Sequence, residues 1–329
     1  MMQIVLIGFG AGAASALLFA SVASGAPLSF LLANFAQLPI LLAAIGWTHF
    51  AGIAAVIIAT AGLALVTGTT VAFAFLLSIG LPAWWIGYLA LLGRSGPSGE
   101  PGDVEWYPVG RIVMWTAIAA ACVVMVSMLR YGFDMAQMQA GLRRELERAL
   151  RFLAGGPANS PVRVPNIKDP EKLLDFLVAI VPPMKAIALT VTSLVNLWLA
   201  AQIVRISGRL KRPWPAISQM SFPPLASTAL AAAVGGTFLP DLLGLASSIF
   251  TASLLLAFAL LGLAVVHAVT LGVNGRGFML TGIYVTVGLF GWPVVMMSLV
   301  GLLETMIGLR ARIAARRGPP PPPAFLNRN

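Results

Sequence analysis

Long uninterrupted apolar runs constrain this chain more than any other feature. They cover residues 4–22, 28–46, 50–66, 69–92, 109–129, 173–206, 222–239, 243–267, 277–290 and 293–309. A helix needs ~20 predominantly apolar residues to cross the ~30 Å hydrocarbon core. Inside that core a segment must satisfy its own backbone groups, which a helix does. The expectation is an all-α polytopic transmembrane bundle of about 8–10 spans. Of the 329 residues, 59% are hydrophobic and 10% charged, against ~45–50% and ~25% in soluble domains. That balance argues against a water-soluble enzyme. The formal charge of +10 would suggest nucleic acid in a soluble protein. Here the basic residues flank apolar runs, so they read as topology signals and contacts to lipid headgroups. The single cysteine, Cys122, rules out an internal disulfide.

The breaks at 46–49 and 67–68 are too short to leave the membrane, so their flanking helices should be antiparallel neighbours. Residues 1–3 carry no charged side chain, which favours a retained first span over a cleaved leader. After the Gly/Pro-rich loop 94–108 and the fifth run, Met138, Leu142, Leu146, Leu150 and Leu153 recur at helical spacing, mostly opposite Arg143, Arg144, Glu147, Arg148 and Arg151. Such a stripe suits a helix lying in the interface plane or one packed on its own bundle. Asp169-Pro170-Glu171 supplies a capping side chain, a proline at the first turn and an acid at the positive dipole end. The run it opens, 173–206, would be ~51 Å long at ~1.5 Å per residue. It must protrude, tilt or bend, and Pro182-Pro183 is the expected bend.

Arg205, Arg209, Lys211 and Arg212 form a basic collar without an acid. The last two runs meet at Gly291-Trp292-Pro293 and read as two short spans or one broken helix. Counting Lys and Arg in the connections favours ten spans in a bacterial inner membrane, with both termini cytoplasmic. One transmembrane domain, 1–309, would then carry an extramembrane insertion at 134–170. The basic tail 310–329 should be disordered, with 319–323 an extended polyproline segment.

No His-Glu-x-x-His, Gly-x-Ser-x-Gly, paired-acid or Walker pattern is present, so neither an enzyme nor a metal or cofactor site is expected. Ionisable and polar residues within apolar runs are the candidates for solute contact: Lys185, Asn196, Gln202, Tyr284 and Glu304. Each has a structural alternative. Lys185 could snorkel to an interface, Asn196 and Gln202 could be interhelical glue, and Glu304 could reach water near its helix end. His267, which ends a span, reads as an interface residue. Gly8, Gly12, Ala16, Ala20 and Ser24 recur every four residues on the first run. Such a small-residue face permits close helix contact, internal or with a partner.

Leu38-Pro39-Ile40, the 46–52 turn, Gly68 and Leu81-Pro82-Ala83-Trp84-Trp85 resemble the YybS-like group of bacterial membrane proteins, as do Tyr284, Trp292-Pro293 and the stretch from Gly301 to Arg310. That group is distantly similar to the S-components of energy-coupling-factor transporters. The resemblance implies a small solute held within the bundle near its outer side. It also implies docking through the first helix, with Ala16 and Ala20 as docking residues, onto a coupling membrane protein driven by ATPase subunits. This chain is longer than a six-span S-component, and known vitamin-binding residues have no counterpart in it. The functional expectation is a solute-binding or transport component of the inner membrane, with a protein-binding scaffold as the alternative.

Overall fold

Proline and glycine decide where the apolar runs stop. The computed structural model describes residues 1–96, 100, 102–153 and 169–317. It contains α1 (Met2–Ala20), α2 (Pro27–Ala33), α3 (Gln37–Gly46), α4 (His49–Thr67), α5 (Thr69–Phe75), α6 (Leu81–Leu91) and α7 (Val109–Met128). These are followed by α8 (Met135–Leu153), α9 (Pro170–Ile206), α10 (Leu225–Gly236), α11 (Asp241–Val269), α12 (Arg276–Phe290), α13 (Pro293–Ile307) and α14 (Leu309–Arg317). Strands β1 (Gly93–Ser95) and β2 (Val104–Trp106) pair antiparallel in the Gly/Pro-rich loop. The chain is thus an all-α polytopic membrane protein.

Ten apolar segments carry the ten runs, and seven are long enough to cross a membrane. Helices α10, α12 and α13 have 12, 15 and 15 residues, roughly 18–23 Å at ~1.5 Å per residue, short of the ~30 Å core. The last two runs are separate helices that turn at Gly291, which takes φ +67°. Gly68, at φ +97°, separates α4 from α5. Between α5 and α6 a π-turn spans Leu76–Gly80, widening the helix just before Pro82, which cannot donate to the preceding turn.

Close approaches fix the helix directions. A Cβ on Gly8 would lie 2.7 Å from Ala54 Cβ, and one on Gly12 would lie 2.6 Å from the Ala55 carbonyl oxygen, so α1 runs parallel to α4. Gly46 faces Val204 while Asn196 bonds the Asn34 carbonyl, so α2–α3 runs parallel to α9. At Gly262 and Gly301 a Cβ would collide with the carbonyl oxygens of Met297 and Phe258 respectively, which seats α13 directly on the α11 backbone.

The basic collar closes one end of the bundle. Arg209 lies over the Trp47 ring at 4.6 Å and Arg205 over Trp214 at 4.4 Å. Arg212 donates to the Ala90 carbonyl at 3.4 Å. The start of α1 lies at this end, beside the start of α4. So does the α13–α14 junction, where Arg310 donates to the Ser218 and Met220 carbonyls at 2.5 and 2.8 Å. Residues 309–317 are helical, which shortens the expected disordered tail; the 319–323 segment lies outside the described residues.

Helix α9 is continuous through Pro182 and Pro183, 37 residues or ~55 Å along its axis, so its charged first turns, with Glu171, Lys172 and Asp175, extend beyond the ~30 Å core. Helix α8 packs on the protruding part, burying Met138, Leu142 and Leu174. Arg143 pairs there with Glu171 and Asp175. Of the two readings of the amphipathic stripe, the structure has the packed one.

Candidate functional site

The true break among the first spans is at 34–36, between α2 and α3. Pro39 explains it: its ring removes the donor that would bond the Phe35 carbonyl and crowds that oxygen. Phe35, Ala36 and Leu38 instead donate to carbonyls three residues back, at 2.9–3.1 Å. The break sits at the centre of the span Pro27–Gly46, and the carbonyls it frees draw polar side chains from α1, α9 and the break itself. Asn34 Nδ2 donates to the Phe30 carbonyl at 2.7 Å, and Ser15 Oγ donates to the Ala36 carbonyl at 2.6 Å. Asn196 Nδ2 donates to the Asn34 and Thr192 carbonyls, both at 2.8 Å. Asn196 lies ten residues from the collar end of α9, ~15 Å deep, which is mid-membrane.

This cluster is not saturated. Gln37, on the first turn of α3, is 1% exposed, and neither Oε1 nor Nε2 has a partner. Asn196 Oδ1 is also buried without one. Buried polar atoms nearly always pair, so these mark hydrogen-bonding capacity that the protein itself does not fill.

From the break a lateral groove of about 280 Å³ runs between α7 and α9, lined by Asn34 and Thr192, then Val123 and Leu189, then Ser127 and Lys185. Lys185 lies 21 residues from Ile206, ~31 Å along α9, so it sits at the membrane boundary opposite the collar and not at mid-depth. Beside it, Arg130 Nη2 and Glu145 Oε2 are 2.5 Å apart, and the Tyr131 hydroxyl donates to the same carboxylate. Partial burial pushes the Glu145 carboxyl up. The Tyr131 hydrogen bond and the charges of Arg130 and Lys185 more than reverse this and hold it below the usual carboxylate range.

The other candidates lie elsewhere. Gln202 is in the collar half of α9, 17 residues from Lys185, ~25 Å away. Glu304, with its side chain 11% exposed, accepts from the Arg310 backbone N–H and Nε at 2.9 and 2.8 Å and pins α13 to α14. Tyr284 Oη is 2.8 Å from His267 Nε2, while Arg276 reaches His267 Nδ1 at 3.3 Å; this group joins α12 to α11. Gly8 and Gly12 are spent on the α1–α4 contact, and Ala16 and Ala20 pack half-buried on the core around Ala55 and Phe75. The face of α1 that the resemblance assigns to docking is therefore turned inward. Only Lys185 and Asn196 come near one site. Ser15, Asn34, Gln37 and Thr192 escaped sequence reasoning, although Asn34 and Gln37 closely precede an in-span proline.

Among the described residues no group of three or more His, Cys, Asp or Glu side chains could hold a metal ion. A family model described as "Predicted membrane protein (DUF2232)" matches residues 13–304. The chain belongs to that family. No curated protein and no solved structure matches it. In this DUF2232 protein the matched stretch includes both the α2–α3 break and the whole groove.

Proposed function

We propose that this multi-pass membrane protein is a non-enzymatic solute-binding component whose site is the α2–α3 break and the groove leading to it. The observation that carries the reading is Gln37: a fully buried amide without a partner at mid-membrane depth, where an unmet polar group is costly. Broken spans that bring polar groups beside a cavity are a recurring way to bind solutes at the midplane. The collar faces the cytoplasm in this reading, because Lys and Arg concentrate there. In the S-component-like version of the proposal, a coupling membrane protein with ATPase subunits drives release. Docking through the first helix would then have to share Ala16 and Ala20, which pack partly buried on the core, while Gly8 and Gly12 lie against α4.

The test is native mass spectrometry of the full chain released from gentle detergent, with and without co-expressed coupling and ATPase subunits. A retained small molecule that Gln37→Met or Asn196→Leu abolishes supports the reading. A chain that carries nothing but detergent and bulk lipid in every preparation overturns it. The scaffold reading has one observation of its own: no residue of α12 is buried. It expects replacing the outward Phe278 and Leu289 by alanine to abolish the cellular phenotype while Gln37→Met leaves it intact.

A further inference from the structure

The groove between α7, α9 and the α2–α3 break has an order of chemistry along its length. At the membrane boundary stand Lys185 and Ser127; then come the apolar walls Val123 and Leu189; at mid-depth are Asn34 and Thr192. From Lys185 to Thr192 is seven residues, ~10 Å of helix. Lys185 and Asn34 are both exposed, so the groove is open sideways, toward lipid, along its length.

The charge at its mouth is unbalanced. Among the described residues no ion pair or hydrogen bond reaches Lys185. Glu145, the acid on which the Lys185 charge acts, is already held by Arg130 and the Tyr131 hydroxyl. Two cations therefore face one carboxylate. The charged and polar groups offered to the groove by each packed element are Ser127 from α7, Lys185 and Thr192 from α9, Asn34 from the break, and the Arg130–Glu145 pair at the α8 side. None adds a second free acid. At the other end, Asn34 presents an amide to hydrocarbon, where polar side chains are retained at a free-energy cost. Its Oδ1 is met only by Thr192 Oγ1 at 3.5 Å, longer than an ordinary O–H···O bond.

We infer that the groove binds an anionic amphiphile, its headgroup on Lys185 and Ser127, its apolar body against Val123 and Leu189, and a polar group or unsaturation near Asn34 and Thr192. The inference rests on the solute-binding reading above and names its ligand class. At about 280 Å³ the groove is at the small end of ligand sites, ~300–1,000 Å³, which suits one chain better than two. An anionic head on an alkyl chain could come from a single-chain metabolite or from a bilayer phospholipid; both share the chemistry that Lys185 selects.

The full chain in phosphatidylcholine nanodiscs, photolabelled with a diazirine-bearing alkyl phosphate and mapped by peptide mass spectrometry, tests this. Label is expected on Val123 and Leu189 peptides. Dodecyl phosphate should displace it at least about tenfold better than dodecanol, the scale of one charge-assisted hydrogen bond. Lys185→Gln should erase that preference and Lys185→Arg keep it. Lys172→Gln, which removes a remote charge on the same helix, should leave it unchanged. Displacement when phosphatidylglycerol replaces part of the phosphatidylcholine assigns the ligand to the bilayer. Resistance to that exchange assigns it to a single-chain species, and either supports the ligand class. Equal displacement by dodecanol, or a preference that survives Lys185→Gln, overturns the ligand class and leaves solute binding standing. Groove peptides that no alkyl probe labels, charged or neutral, overturn both.

Discussion

Replacing Gln37 by methionine should make the isolated protein more stable and at the same time deprive it of its ligand. The side chain is 1% exposed and both polar atoms lack partners. A buried unpaired group costs about 1–3 kcal/mol. Two such atoms set an upper bound that the membrane reduces, because the unfolded chain in lipid also finds few partners and measured interhelical hydrogen bonds there average only ~0.6 kcal/mol. Methionine nearly matches glutamine in volume and is flexible, so repacking should cost less than ~1.5 kcal/mol. The balance is a gain of about 1 kcal/mol, a several-fold shift in the folding equilibrium. Delipidated protein in mixed micelles, titrated with SDS and followed by near-ultraviolet circular dichroism, should show a higher midpoint for Gln37→Met than for the unmodified chain. Gln37→Glu should lower it, since a charge is costlier still in that position. A lower midpoint for the methionine variant would mean that the amide is bonded within the folded molecule, and the argument from an unfilled site would fail.

Three further outcomes are expected. Gly12→Leu should destabilise by about 1–3 kcal/mol in the same titration, because a Cβ there would lie 2.6 Å from the Ala55 carbonyl oxygen and 3.2 Å from the Ala59 nitrogen, both backbone; Gly10→Leu, with nothing within 4 Å, should change little. The carboxyl of Glu145 is held below its ordinary range, so its contribution to α8 docking is complete above the unfolded carboxylate pKa and is lost as pH falls through the depressed folded value. The protection factors of the α8 amides, which correct exchange for its intrinsic slowing in acid, should accordingly fall as pH drops, and Glu145→Gln should flatten that part of the profile; an unchanged profile refutes the assignment. Glu304→Gln should weaken the hold on Arg310 by about 1–3 kcal/mol and speed tryptic cleavage at Arg310 and Arg312, whereas Thr305→Val, on the same helix, should not.

The bundle was legible because its signal is run length, which survives any detail of packing: all ten runs became helices. Helix ends at Gly68 and Asp169-Pro170 were equally readable, since each depends on local backbone chemistry. The site was half legible. Lys185 and Asn196 stood out as polar residues in an apolar run, but their depth did not follow from their place in the helix. Only the packing of α8 on the first half of α9 shows that this half protrudes, which moves Lys185 to the boundary. Glu304 and Tyr284 were conspicuous for the same reason and proved to be fastened to Arg310 and His267, partners that lie six and 17 residues away.

The break before Pro39 shows which physical question a proline raises inside a membrane. Pro182-Pro183 deletes two backbone bonds and α9 still continues, with α8 covering that stretch of the helix. Pro39 deletes one and the helix breaks. Near Pro39, Asn34 lies one residue before the carbonyl that the ring crowds, and Ser15 and Asn196 approach from neighbouring helices, so every carbonyl turned out of the helix finds a donor. A freed carbonyl in hydrocarbon without such a donor would be prohibitive, whereas 178–183 lies on the protruding half of α9, where the carbonyls that Pro182 and Pro183 free are outside the hydrocarbon. The informative pattern is therefore not proline alone but proline with an amide four to five residues before it, as Asn34 stands to Pro39. Gln37, two residues before the same proline, lies outside that pattern and is left without a partner, and it places the candidate site at the break.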